Sequence, residues 1–142
     1  MGAPGFPDWV SIANLKARYC RLLDLKEWSA FADLFTEDVL LDTSASGGPR
    51  LAGREAVVAM VRQSIEAART VHQVHMPEIT VEQDQASAIW PMQDRLVWPD
   101  GRTLTGFGHY HERYRRQAGG WKIAESRLTR LMLEMQRPTG EG

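Results

Sequence analysis

The chain has 142 residues and a mass of 16.0 kDa, with 43 % apolar and 25 % charged side chains, which is room for one ordinary globular domain over 1–142. Seventeen Lys and Arg against eighteen Asp and Glu leave a formal charge of −1, which argues against bulk attraction to nucleic acid or anionic membrane. No apolar run nears the ~20 residues of a membrane span, the N-terminal Met-Gly-Ala-Pro-Gly-Phe-Pro-Asp lacks the features of a signal peptide, and Cys20 as the sole cysteine excludes an intrachain disulfide or a cysteine-based zinc site. The expectation is a cytoplasmic protein with a core over about residues 9–134 and loose ends at residues 1–8 and in the last five.

Ile12, Leu15, Tyr19, Leu22 and Leu23 recur at helical spacing and predict a first helix, with Ser11 or Asp8 available as its cap. A shorter second helix is expected around Trp28, Phe31, Leu34 and Phe35. Val39–Thr43 reads as a strand, ended by the loop Ser44-Ala-Ser-Gly-Gly-Pro49. From Gly53, the residues Ala56, Val57, Met60, Val61, Ser64, Ile65 and Ala68 return to the helical period and give the strongest helix signal in the chain. A strand-like run begins near Thr70 and passes Pro77, which suits a bulge or an edge rather than a central ladder. Runs 86–98, 102–116 and 121–133 follow, separated by Pro99-Asp-Gly101 and Gln117-Ala-Gly-Gly120, both strong hairpin signals. Helices gathered ahead of a meandering sheet give an α+β class. Three helices cover one face of a long curved, mainly antiparallel sheet, and the resulting cone encloses an apolar pocket.

Strand parity sorts the polar candidates. Trp90, Met92, Asp94, Leu96 and Trp98 share a face, so an inward Asp94 needs a cationic partner or a raised carboxyl pKa, whereas an outward one is an ordinary paired acid. Leu128, Arg130 and Met132 share a face of the last run, which makes Arg130 a candidate partner for Asp94, or else a surface Arg whose stem covers apolar area. Gly106 and Gly108 precede Tyr110 on one face and leave room beside its phenol. His72 and His75 point to opposite faces of a strand and are poor joint metal ligands. His109 and His111 share a face without a carboxylate at ligand spacing, which favours a solvated or subunit-contact role over zinc. Tyr19, Val61–Ile65 and the methionines read as packing positions, His72 alone as a satisfied core histidine, and Asp24 as a cap for the turn after the first helix.

Taken together, Leu15-Lys-Ala-Arg-Tyr19-Cys-Arg-Leu-Leu-Asp24-Leu-Lys-Glu-Trp28, Thr70-Val-His72-Gln-Val-His75-Met-Pro-Glu-Ile79, Trp90-Pro-Met-Gln-Asp94-Arg-Leu, Tyr110-His-Glu-Arg-Tyr114, Gly120-Trp-Lys-Ile123 and Leu128-Thr-Arg130 resemble the SnoaL-like proteins of the nuclear transport factor 2 superfamily. The resemblance covers about residues 9–134. It is nearest to the bile acid 7α-dehydratases, with scytalone dehydratase and hexachlorocyclohexane dehydrochlorinase further away. It implies the NTF2-like cone and an active-site set of Tyr19, Asp24, His72, Asp94 and Arg130, with one residue fewer between His72 and Asp94 than in the dehydratase.

What the resemblance further implies is elimination without metal or organic cofactor. His72 acts as general base, oriented by Asp24; Tyr19 donates to an enolate oxygen; Asp94 with Arg130 positions the substrate or assists departure of water. Tyr110, Trp90, Met92 and Trp98 are the expected substrate contacts for a hydrophobic cyclic molecule, steroid-like or polyketide-like. Isomerisation, polyketide cyclisation or simple ligand binding would use the same pocket. The relatives also imply a homo-oligomer, a trimer ahead of a dimer, formed through the outer sheet face with Phe107, His109 and His111.

Overall fold

A computed structural model of the chain describes residues 5–138, so the expected loose ends lie largely outside the described residues. The first helix, α1 (Asp8–Leu25), begins earlier than the apolar period suggests. No side chain caps it; the Pro7 carbonyl accepts the amides of Val10 and Ser11 at 2.9 and 3.2 Å. Asp8 is therefore neither loose nor a cap but a first-turn acid, where a negative charge suits the helix dipole. At the other end Lys26 turns into the left-handed region at φ 58°, and the amides of Lys26 and Glu27 close on Leu23 and Leu22.

Helix α2 (Trp28–Ala32) is shorter than expected, because Phe35 already opens strand β1 (Phe35–Asp42). A single 3-10 turn (Ser44–Ser46) and an unforeseen short strand β2 (Arg50–Ala52) lead to helix α3 (Arg54–Ile65), which follows Gly53 at φ 97°. The run through Pro77 divides in two, β3 (Arg69–Val74) and β4 (Glu78–Glu82), both pairing antiparallel with β5 (Gln85–Val97). Proline lacks the amide that would continue the ladder, so the chain breaks there instead of bulging. Strands β6 (Thr103–Gln117) and β7 (Gly120–Gln136) complete the two expected hairpins.

The order β2-β1-β7-β6-β5-β3, with β4 also on β5, makes one seven-stranded mixed sheet in which only β1 and β7 run parallel. Two register shifts between β6 and β7, at Ala124 and Leu131, put an extra residue into β7 and bend it. The sheet curves without closing, and α1 and α3 pack into its concave face, giving the NTF2-like α+β cone. The core gathers Ile12, Leu23, Phe31, Phe35, Val39, Val57, Trp90, Tyr114 and Ile123, all buried. No helix among the described residues is long and apolar enough to cross a membrane.

Candidate active site

The inner side of the cone holds a cavity of about 270 Å³ lined by Tyr19 and Leu23 of α1, Met60, Val61 and Ile65 of α3, and His72, Asp94, Tyr110, Leu128 and Arg130 from the sheet. A larger, open concavity of about 530 Å³, lined by Asp38, Thr80, Arg113 and Glu125 among others, collects none of the expected site residues. Among the described residues no group of three or more His, Cys, Asp or Glu side chains is arranged to hold a metal ion.

Asp24 lies in the last turn of α1, and its carboxylate faces β3. Its Oδ1 accepts the Thr70 hydroxyl at 2.9 Å and lies 2.7 Å from His72 Nδ1, while its Oδ2 accepts the His72 backbone amide at 2.8 Å. The acid at an unfavourable helix end is thus repaid by three partners on one strand rather than by capping the turn. With the Nδ1 proton on the Asp24 side, Nε2 is the free, basic nitrogen. It lies 3.9 Å from Asp94 Oδ2.

Asp94 and His72 are directly opposed residues of β5 and β3. Alternation along β5 turns Ala86, Ala88, Trp90, Met92, Asp94 and Leu96 inward, so the parity reading holds and Asp94 is 5 % exposed. Arg130 of β7 reaches it with a bidentate pair, Nη1 to Oδ1 at 2.7 Å and Nη2 to Oδ2 at 3.0 Å. Arg130 Nε donates to Ser46 Oγ at 2.8 Å, which ties the loop over the cavity to the ion pair. The fork geometry gives both carboxylate oxygens a partner.

Gly106 on β6 serves this pair rather than the phenol, and Gly108 serves the close approach of β7. A Cβ on Gly106 would overlap the Arg130 guanidinium and the Asp94 carboxylate, and one on Gly108 would overlap the Thr129 carbonyl. Met132 does not share the face of Arg130: the extra residue at Leu131 turns it outward, where it is 57 % exposed.

Tyr19 and Tyr110 meet edge to face, with centroids 5.8 Å apart. Burial pushes the Tyr19 phenol well above its ordinary value, the Glu112 carboxylate adds to the rise, and hydrogen bonding with Tyr110 opposes it. Burial likewise raises Tyr110. Both phenols therefore stay protonated and can donate.

Two expected substrate contacts are corrected. Trp90 is core: it does not line the cavity, and its indole N–H donates to Tyr114 Oη at 2.8 Å. Met92 lies behind the site with its sulfur 3.8 Å from Arg130 Nη1, and it too is absent from the lining. Trp98 and Leu96 do line the cavity, as do Met60, Val61 and Ile65, which the sequence assigned to packing alone.

Sequence reasoning also missed Lys16, fully buried with Nζ 2.9 Å from Glu112 Oε2. Glu112 further accepts the hydroxyls of Ser126 and Tyr114, both at 2.7 Å. A signal existed, since Lys16 stands four residues after Ile12 and three before Tyr19 in the apolar stripe.

This constellation in this fold defines a class. Residues 7–127 match the SnoaL-like domain, and the chain belongs to that family. A curated relative from Gibberella zeae named "Probable cyclase FGR4" is 24 % identical over 133 residues, covering 84 % of this chain and 89 % of its own. The crystal structure of the Kfla4162 protein from Kribbella flavida superposes with a TM-score of 0.83 at 26 % identity, covering 89 % of this chain and 93 % of that one. A hexachlorocyclohexane dehydrochlorinase of the LinA type 2 form superposes with a TM-score of 0.79 at 14 % identity over 94 % of this chain and 91 % of that one, a likeness of fold.

Proposed function

We propose that the protein is a cofactor-independent lyase that eliminates water from a hydrophobic cyclic substrate by acid–base chemistry. The observation that carries the reading is the 2.7 Å approach of His72 Nδ1 to Asp24 Oδ1, with Nε2 directed into an apolar cavity beside the Asp94–Arg130 pair. His72 Nε2 takes a proton from a carbon beside the substrate carbonyl. Asp24 accepts the Nδ1–H bond and stabilises the imidazolium. The electron pair moves into an enolate whose oxygen receives a hydrogen bond from Tyr19, with Tyr110 at hand. As the enolate collapses, the neighbouring C–O bond breaks, and the imidazolium proton leaves with the departing hydroxide as water. Asp94, neutralised by Arg130, accepts a hydrogen bond from a substrate hydroxyl and fixes its position.

A cavity of about 270 Å³ falls just below the ~300–1,000 Å³ usual for ligand sites. That favours a compact polyketide-like ring system over a four-ring steroid held whole. Isomerisation or ring closure uses the same base and donors, and the relative named a cyclase keeps that reading in view. A non-catalytic ligand carrier is the remaining alternative.

Incubation with a panel of cyclic β-hydroxy ketones, read by mass spectrometry, separates these outcomes. Loss of the mass of water marks dehydration, an unchanged mass marks isomerisation, and binding without conversion marks a carrier. His72→Ala abolishes turnover on this reading with the fold intact; full activity in that variant defeats it. Self-association through the outer sheet face is part of the same proposal, since Phe107 and Met132 are exposed there beside His109 and His111, whose rings lie 6.3 Å apart.

A further inference from the structure

We propose that Lys16 is a positioning residue for this site, whose buried ammonium turns Tyr19 and Tyr110 into a paired donor for oxyanions. The inference rests on the reading of the cavity as a place where a carbonyl oxygen gains negative charge, and it names what strengthens the donors. Lys16 Nζ lies 3.7 Å from the ring centroid of Tyr19 and 3.6 Å from that of Tyr110, so one cation faces the π-systems of both phenols. Its side chain and that of Glu112 are both fully excluded from solvent.

Stability gives little reason for such an arrangement, because a buried ion pair is often no better than apolar residues of similar volume. Function gives one. When a phenol donates a hydrogen bond to an anion, electron density moves into its ring, and a cation over that ring gains attraction as it does so. The donor and the charge are thereby coupled: the more the substrate oxygen resembles an oxyanion, the more Lys16 contributes. This is the differential interaction that favours a transition state over a ground state.

Glu112 keeps the ammonium from drifting toward the cavity. Its Oε2 holds Lys16 and Ser126, and its Oε1 holds Tyr114. Ser126, on the same oxygen as Lys16, also lines the cavity, so the network reaches the substrate's wall through a hydroxyl rather than a charge. The same carboxylate raises the Tyr19 pKa, which keeps the phenol a donor rather than an anion.

The test uses para-nitrophenol, whose phenolate absorbs visible light and whose neutral form does not, as a probe that needs no turnover. The wild-type protein is expected to bind the phenolate in preference to the neutral phenol. Lys16→Met/Glu112→Gln removes both charges and leaves one acceptor oxygen, the amide NH2 facing the other hydroxyl, which can turn to accept; it is expected to lower that preference by roughly tenfold or more. Lys16→Gln, neutral but still able to donate to Glu112, is a second variant with the same expected loss, and Lys16→Arg is expected to retain the preference. A folded neutral variant with unchanged phenolate preference overturns the proposal, as does a wild-type protein with none. Because the probe undergoes no elimination, either result leaves the test of His72 as base to stand or fall on its own.

Discussion

Replacing Asp24 by Asn keeps the side chain's size while removing its charge and one acceptor. The carboxylate holds three donors, the Thr70 hydroxyl and His72 Nδ1 on Oδ1 and the His72 amide on Oδ2. An amide has one oxygen and can replace only one of the two carboxylate oxygens as acceptor. If its oxygen takes the Oδ1 position, the NH2 faces the His72 backbone N–H, donor against donor. If it takes the Oδ2 position, the NH2 faces Nδ1, which must then accept, and the ring proton moves to Nε2 where the base should be. Losing charge-assisted hydrogen bonds at a part-buried carboxylate costs about 1.5–3 kcal/mol, read as a lower Tm. Losing the correct tautomer is the larger effect on turnover: removing an orienting carboxylate from a comparable catalytic histidine lowers kcat by about 10⁴. The assay is single-turnover product formation, paired with ¹⁵N NMR of the imidazole to read which nitrogen carries the proton. A variant that keeps an unprotonated Nε2 and full kcat refutes the reasoning.

Two further outcomes follow from the geometry. Gly106→Ala puts a methyl group into the Asp94–Arg130 fork, and since those are side chains that can shift, the expected result is a folded protein with strongly reduced kcat. Gly108→Ala meets the Thr129 backbone carbonyl instead, which cannot step aside, so the expected loss is in Tm, by the ~1–3 kcal/mol of an overpacked site; thermal melts and kinetics on both variants check the contrast. On the acid side, hydrogen bonds from Arg116 and then Trp121 hold the Asp8 carboxyl below its ordinary value. Its contribution is present above the unfolded pKa of ~3.9 and lost as pH falls through the lower folded value. Melts of Asp8→Asn against wild type are therefore expected to differ at neutral pH and converge in strong acid.

The hairpin strands were the most legible part of the chain, because Asp-Gly and Gly-Gly turns and period-two burial are local signals. The parity of β5 grouped Asp94 with Trp90, Met92 and Leu96 on one face but left open whether that face turns inward. β2 was illegible: three residues, Arg50–Ala52, carry no periodicity and exist only because β1 offers them an edge. The outward turn of Met132 was hidden as well, since a bulge leaves no mark on the alternation upstream of it. Asp24 could not be read from composition, because the partners that justify it lie on β3, 46 and 48 residues away; only the resemblance to a family brought the two segments together. Trp90 and Met92 were misread because facing inward is not the same as facing the cavity. They sit on the inner side of the sheet as part of the core, outside the cavity lining.

The pairs that seat α1 join distant parts of the chain: Lys16 to Glu112 across 96 residues, and Asp8 to Arg116 across 108. A nascent polypeptide leaving the ribosome therefore makes this helix first and finds its counterions last. Until β6 has emerged, the ammonium of Lys16 has no carboxylate to enter the interior with, and exposing it to water is the cheaper state. Docking of the N-terminal helix is thus postponed until most of the sheet exists, so the segment that brings Tyr19 and Asp24 is seated only on a scaffold ready to receive it.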